Sequence, residues 1–82
     1  MRLRTTTDID TDDASATVKQ IDDTLAETKY RLSVTSETVR LYARMDTDSQ
    51  SVESDSNTML DELNALDGVS LSEDEIEVSG GL

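Results

Sequence analysis

Carboxylates are the side chains of this sequence with the clearest capacity for chemistry. Acidic residues adjoin one another at positions 12–13, 22–23, 61–62 and 73–75, and carboxylate oxygens are the ligands that Mg²⁺ and Ca²⁺ prefer. Neighbouring residues of a helix point about 100° apart, however, so such a pair does not converge on one ion. The chain has no His and no Cys, and it has neither a calcium-loop spacing nor a glycine-rich phosphate loop. We therefore predict that the protein is not an enzyme and has no catalytic residue, cofactor or metal site.

A second candidate site consists of basic and aromatic side chains between residues 30 and 45. One set of alternate residues in this stretch is apolar, and the other set is Arg31, Ser33, Arg40, Tyr42 and Arg44. Arg and Tyr are enriched at protein interfaces, because they combine large contact area with directed hydrogen bonds. The candidate interface residues are therefore Arg31, Arg40, Tyr42 and Arg44. Two alternatives stay open: a solvated face whose arginines pair with nearby carboxylates, and an RNA surface with Tyr42 as its single stacking ring.

A β-hairpin positions these residues and is the best-supported element of the sequence. Segments 30–35 and 38–45 alternate between apolar and polar residues, as half-buried strands do, and only Ser36 and Glu37 separate them. With those two residues as the turn, the numbers of facing residues sum to 73. Each apolar residue then faces an apolar residue: Val34 faces Val39, Leu32 faces Leu41, and Tyr30 faces Ala43.

The rest of the chain supplies one strand and two helices. Residues 2–9 alternate in the manner of a strand and contain three Thr, which favours extended structure. Residues 13–28 carry apolar side chains at helical spacing after a cluster of cap-forming residues at 10–13. A second helical stripe ends before Gly68, a favourable residue for a helix C-terminus, and consists of Val52, Ser56, Met59, Leu60, Leu63 and Leu66.

The predicted fold class is α+β: a three-stranded antiparallel sheet with two helices on one face, in the order β-α-β-β-α. A last strand at 69–72 or 75–78 would complete a ferredoxin-like βαββαβ arrangement. Ser72 and Glu75 alternatively form a capping box that opens a short helix. We assign residues 1–68 to a single domain and residues 69–82 to an acidic C-terminal tail. We expect residues 73–82 to lack order in the free protein.

The stripe of the second helix is a second candidate interface. It is wider than a narrow sheet needs, so part of it could pack against a helix of another chain. The residues concerned are Val52, Met59, Leu63 and Leu66. The alternative is that the whole stripe covers the sheet of its own chain.

The charge of the chain is unevenly distributed. Residues 1–44 contain seven basic and eight acidic residues, whereas residues 45–82 contain eleven acidic residues and no basic one. A net charge of −12 disfavours strong direct binding to nucleic acid, which needs Lys and Arg against phosphate. The acidity fits either an acidic docking surface or a protein adapted to high salt, as in a halophilic archaeon. Abundant Asp with only two Lys favours the second explanation.

Size and hydropathy set expectations about surroundings and partners. No apolar run approaches the roughly 20 residues that span a bilayer, and no signal-peptide core follows the first residue. We therefore expect a cytoplasmic protein without a membrane partner. An 82-residue chain whose only aromatics are two Tyr has a thin aliphatic core, so a protein partner that covers one face would add stability.

The junction between the hairpin and the second helix resembles a signature of the small Pcc-type subunits of the KEOPS complex. Residues 47–52 read Thr-Asp-Ser-x-Ser-Val and residues 57–60 read Asn-Thr-x-Leu. In that family a strand ends in an Asp-Ser turn, and an Asn-Ser/Thr-x-Leu step follows in the next helix. Residues 39–45 stand where the family has its third strand. The resemblance covers residues 2–66, of which 38–60 is the specific part.

The resemblance implies a non-catalytic scaffold. Pcc-type subunits dimerise and bind the catalytic subunit that makes N6-threonylcarbamoyladenosine in tRNA. The family usually carries Arg where this chain has Glu53, an aromatic residue where it has Met59, and a basic residue where it has Asp61. These departures imply a divergent paralogue that pairs with the standard small subunit, or with itself, and prevents a second catalytic assembly from docking. The alternative functions are a ligand-sensing ferredoxin-like module and a structural or interaction protein of a haloarchaeal virus.

Overall fold

Alternating side chains build a four-stranded antiparallel sheet, which two helices cover. The computed structural model describes residues 1–80. The elements are β1 (Arg2–Asp10), α1 (Ala14–Thr24), β2 (Lys29–Val34), β3 (Thr38–Asp46), α2 (Val52–Asn64), one turn of 3-10 helix (Glu73–Glu75) and β4 (Glu77–Ser79). The strand order is β2-β3-β1-β4, and every neighbouring pair is antiparallel. This order is compatible with a ferredoxin-like fold, so the predicted α+β class is confirmed together with its optional last strand.

The β2–β3 hairpin has the register that the sequence predicts. Val34 lies opposite Val39, Leu32 opposite Leu41, and Tyr30 opposite Ala43. The loop closes without a glycine, and the Thr35 side chain stabilises it through hydrogen bonds to the main chain of Thr38. Its Oγ1 accepts a hydrogen bond from the Thr38 N–H at 3.1 Å and donates to the Thr38 carbonyl at 3.0 Å.

The hydrophobic core lies on one side of the sheet. Alternate residues of β1 and β3 are buried there, and the intervening residues are mostly exposed on the other side. Both helices pack against the buried side, since their apolar residues join the same cluster as those of the strands. Each fully buried aliphatic side chain contributes about 1.5–3 kcal/mol to folding. The largest such side chains are Leu3, Ile21, Val39, Leu41, Met59 and Leu63.

Helix α1 is shorter than the stretch 13–28 that the sequence predicts. It begins at Ala14 behind Asp13, whose carboxylate accepts a hydrogen bond from the Ala16 N–H at 3.1 Å. It ends at Thr24, because the following residues pair with α2 instead of continuing the helix. The N–H groups of Glu27 and Thr28 each lie 3.0 Å from a carboxylate oxygen of Glu62. Glu62 therefore fixes the loop between α1 and β2.

The segment predicted as a tail, residues 69–82, folds back onto the domain over its described part. Asn64 acts as an anchor, since its amide donates to the Leu71 carbonyl at 3.0 Å and accepts from the Leu71 N–H at 2.7 Å. Val69 and Ile76 are buried in the core. The division at residue 68 therefore differs from the structure, in which the same core continues to Ile76.

One turn of 3-10 helix explains why the alternation of apolar and polar residues changes phase between residues 71 and 76. The Ser72 N–H donates to Glu75 Oε1 at 3.3 Å, which is the glutamate half of the predicted capping box. The buried Thr5 hydroxyl donates to the Glu75 carbonyl at 3.0 Å and holds this turn against β1. Expected disorder in residues 73–82 is thus wrong for residues 73–80, because backbone pairing and these contacts order them. Residues 81 and 82 lie outside the described part of the chain.

Strand β4 covers only one end of β1. Its three residues pair with Arg2, Leu3 and Arg4. The Thr47 N–H donates to the Met1 carbonyl, and the Thr11 N–H donates to the Glu37 carbonyl. Because Thr47 and Glu37 flank β3, the odd residues of β1 direct their polar backbone groups toward β3 and the even residues direct theirs away. Within residues 1–80, no strand lies beside Thr6, Asp8 and Asp10 on that outer edge.

We expect Glu62→Ala to lower the free energy of unfolding by about 2 kcal/mol, because it leaves the N–H groups of Glu27 and Thr28 without their charged acceptor. Urea unfolding monitored by circular dichroism measures the change. Asp61→Ala is the matched control, since Asp61 is exposed one residue away, and it should change stability little. Equal losses in the two variants would contradict the role of Glu62.

The stabilisation by Glu62 should depend on pH. Burial raises the pKa of the Glu62 carboxyl, but the hydrogen bonds from the N–H groups of Glu27 and Thr28 outweigh burial and hold the pKa below its ordinary value. The contribution is therefore fully present above the ordinary glutamate pKa of about 4.3 and is lost as the pH falls through the lower, folded-state value. The stability difference between the wild type and Glu62→Ala should shrink accordingly.

Candidate functional site

The face of the sheet opposite the helices is uncovered by any element of residues 1–80, and we call it the open face. Its members are the even-numbered residues of β1 and β3, the odd-numbered residues of β2, and the first and last residues of β4. Residues that pair across neighbouring strands share a face. The open face consists of Arg2, Arg4, Thr6, Asp8, Asp10, Lys29, Arg31, Ser33, Thr38, Arg40, Tyr42, Arg44, Asp46, Glu77 and Ser79.

The open face contains most of the positive charge of the chain. Six of the seven basic residues lie on it, and only Lys19 on α1 lies elsewhere. Four acidic residues share the face, so its formal charge is +2, whereas the remaining residues carry one basic and fifteen acidic side chains. The molecule is therefore electrostatically two-sided, although its net charge is −12.

Ion pairs neutralise part of the open face. Arg40 forms a bidentate pair with Asp8, with distances of 2.7 Å from Nε and 3.2 Å from Nη2. The hydrogen bond from Arg40 lowers the pKa of the Asp8 carboxyl. Arg2 Nε lies 3.0 Å from Asp46 Oδ1 and lowers the pKa of that carboxyl in the same way. These pairs are exposed, so they orient the side chains more than they stabilise the fold.

A row of like charges crosses the open face near one end of its strands. Arg44 of β3 lies directly opposite Lys29 of β2 on one side and directly opposite Arg4 of β1 on the other. We call these three residues the cationic row. One end of it meets a carboxylate, because Arg4 Nη2 lies 3.6 Å from Glu77 Oε1. Among residues 1–80, no carboxylate oxygen lies within 4.0 Å of the charged nitrogens of Lys29 or Arg44.

Tyr42 lies beside the cationic row, near the centre of the sheet. The residue is 38% exposed, and the Arg31 guanidinium lies 5.8 Å from the ring centroid, close enough for a cation–π contact. Both side chains line a partly open depression of about 960 Å³, together with Arg4, Thr6 and Arg44. An exposed aromatic ring among guanidinium groups supplies contact area and hydrogen-bond donors at one spot.

The structure brings together the four residues predicted for the hairpin interface. Arg31, Arg40, Tyr42 and Arg44 all lie on the open face, although Arg40 is already engaged by Asp8. Three further basic residues of this face, Arg2, Arg4 and Lys29, were not predicted as interface residues. The signal for Arg2 and Arg4 was their alternation with Leu3 and Thr5 in β1, and Lys29 continues the alternation of Arg31 and Ser33 in β2.

The predicted second interface on α2 is largely wrong. Met59 and Leu63 are fully buried, and Leu66 is 3% exposed. All three belong to the core of their own chain, which also includes Val69 and Ile76 of the segment predicted as a tail. Val52 is half-buried and packs against the same core.

The acidic clusters have structural roles. Asp13 caps α1, and Glu62 holds the loop before β2. Asp22 accepts a hydrogen bond from the Tyr30 hydroxyl at 2.7 Å and thereby raises the pKa of that hydroxyl. Glu75 accepts from the Ser72 N–H. In the part of the chain that the structure describes, no three acidic side chains are arranged to hold a metal ion.

The motif that resembles the Pcc-type signature forms the start of α2. Asp48 Oδ1 accepts hydrogen bonds from the Ser51 N–H at 2.9 Å and from the Gln50 N–H at 3.0 Å. These bonds lower the pKa of the Asp48 carboxyl. Thr47 Oγ1 donates to Asp55 Oδ2 at 2.6 Å and ties the end of β3 to the first turn of α2. The motif residues therefore set the angle between the hairpin and the second helix.

Comparison with known proteins adds no relative to this geometry. No family model, no curated protein and no solved structure matches the chain. Over residues 1–80, neither helix has the length and apolar character needed to cross a membrane. The features of this chain that bear on function are therefore the open face and the sequence motif.

We expect Arg44→Gln to raise the free energy of unfolding by about 0.5 kcal/mol relative to Lys19→Gln, because like charges directly opposite one another destabilise paired strands. Both changes remove one positive charge, so the comparison cancels the effect of net charge. Urea unfolding at low salt measures the difference, which should vanish in molar salt through screening. A lower stability for Arg44→Gln than for Lys19→Gln would show that the cationic row does not repel itself.

Proposed function

We propose that this chain is a non-catalytic scaffolding subunit that binds a partner protein through its open face. The observation that carries the proposal is the concentration of six basic residues and an exposed Tyr42 on a sheet face that the domain leaves uncovered. Ion pairs with carboxylates engage three of these basic residues, and the other three, together with Tyr42, stay available to another molecule within the described chain. Arg and Tyr side chains contribute strongly to association.

The partner that the sequence favours is a standard Pcc-type subunit of the KEOPS complex, in tRNA N6-threonylcarbamoyladenosine biosynthesis. Three features support this proposal: the motif at 47–52, the step at 57–60, and an element order that matches the one implied by the resemblance. Pairing with a standard subunit, or with a second copy, then presents the catalytic subunit with one docking position. The departures at Glu53, Met59 and Asp61 favour the mixed pair.

The open face carries the groups available to another molecule, because Leu3, Ile21 and Leu41 fill the space between the helices and the sheet. The depression beside Tyr42 is partly open to solvent, whereas small-molecule sites bury most of their ligand. We therefore favour a protruding side chain of a partner protein as its occupant.

The test is to mix this chain with a standard Pcc-type subunit and to measure the mass of the complex by size exclusion with light scattering in molar salt. We expect a 1:1 complex, and Tyr42→Ala should weaken it by about ten-fold or more, as expected for a central aromatic contact. Val34→Ala is the matched control, since Val34 is 51% exposed on the opposite side of the sheet. A homodimer as the most stable species would contradict the mixed pair, and equal losses in both variants would contradict the open face as the interface.

A further inference from the structure

We propose that the cationic row of Lys29, Arg44 and Arg4 is a docking site for a carboxylate-rich, extended segment of the partner polypeptide. The proposal rests on the proposed function in one respect, namely that the occupant is a protein. It goes further because it assigns the chemistry of the partner surface and the residues that receive it.

Two members of the cationic row, Lys29 and Arg44, have no ion-pair partner within residues 1–80. Arg44 has a basic residue directly opposite it on both neighbouring strands, an arrangement that destabilises a sheet. Carboxylates are abundant in this sequence, yet those of the described chain stay more than 4.0 Å from the charged nitrogens of Lys29 and Arg44. A negatively charged ligand placed over the row would turn this repulsion into attraction.

The spacing of the cationic row fits an extended acidic peptide. Neighbouring strands lie about 4.8 Å apart, so the three charges span about 10 Å across the sheet. Alternate residues of an extended peptide lie about 7 Å apart on one side, so a short acidic strand places two carboxylates within reach of the row. Arg guanidinium groups match carboxylates through paired N–H donors. Glu77 of β4 already provides one carboxylate, from an extended strand, to the Arg4 end.

The carboxylates and the single aromatic residue of the open face favour a protein over an RNA as the occupant. Four carboxylates, those of Asp8, Asp10, Asp46 and Glu77, flank the cations on the open face. They would repel a continuous phosphate backbone that crosses the sheet, whereas separate carboxylates of a peptide can be spaced to avoid them. Single-strand binding also relies on several aromatic platforms, and Tyr42 is the one aromatic residue of this face.

The experiment measures binding by fluorescence anisotropy at about 0.1 M salt, where charges act over about 10 Å. The probes are a labelled peptide of alternating Glu and Ser, the same peptide with Gln in place of Glu, and an oligouridylate of equal length. We expect the Glu peptide to bind most tightly. Arg44→Gln and Lys29→Gln should each weaken it by about five-fold, the loss expected for an exposed charge pair.

Lys19→Gln is the matched control, because it removes the same charge from α1, away from the open face. It should leave the affinity for the Glu peptide unchanged, and circular dichroism should show the same fold for all three variants. The proposal is overturned if the Glu peptide fails to bind, if Lys19→Gln weakens binding as much as Arg44→Gln does, or if the oligouridylate binds more tightly. Absence of a complex with a Pcc-type subunit would overturn the family proposal alone, since the peptide result does not depend on it.

Discussion

One-sided coverage of the sheet is the constraint on which the rest of this structure depends. The chain crosses from β1 to β2 and from β3 toward β4 through helices that lie on the same side of the sheet. Strands with a period of two must then bury one set of alternate residues and expose the other. Leu3, Val39 and Leu41 go to the core, and the cations between them go to the open face. The position of the basic residues is thus a direct result of where the helices pack.

The alternation of apolar and polar residues predicted the hairpin, whereas the structure of the C-terminal segment depends on contacts with β1 and α2. The hairpin register follows from alternation and from the short loop, because a one-residue slip would turn either Leu32 or Leu41 toward solvent. The C-terminal segment could not be predicted in this way. Its order depends on the hydrogen bond from Thr5 to Glu75, which are 70 positions apart in the sequence, and on the two hydrogen bonds between Asn64 and Leu71. Val69 and Ile76 of this segment join the same core as Met59 and Leu63.

The candidate site was predicted in part for the same reason. Arg31, Arg40 and Arg44 belong to the hairpin, so its register places them on one face without further information. Arg4 joins them only through the pairing of β1 with β3, which connects residues some forty positions apart in the sequence. The sequence therefore allows each residue to be assigned to a face. It does not show that Arg4, Arg44 and Lys29 lie next to one another. Fold stability opposes the cationic row, because like charges directly opposite one another destabilise paired strands.

The incomplete cover of β1 by β4 has a consequence for how the molecule behaves in a crowded solution. The outer main-chain N–H and C=O groups of Thr6, Asp8 and Asp10 form a short unpaired strand edge. Such edges can pair with strands of other molecules. Two of these three residues are aspartates. An identical edge arriving in antiparallel orientation would bring carboxylates from both copies together, so the same stretch that lacks a neighbour also discourages the formation of fibrils.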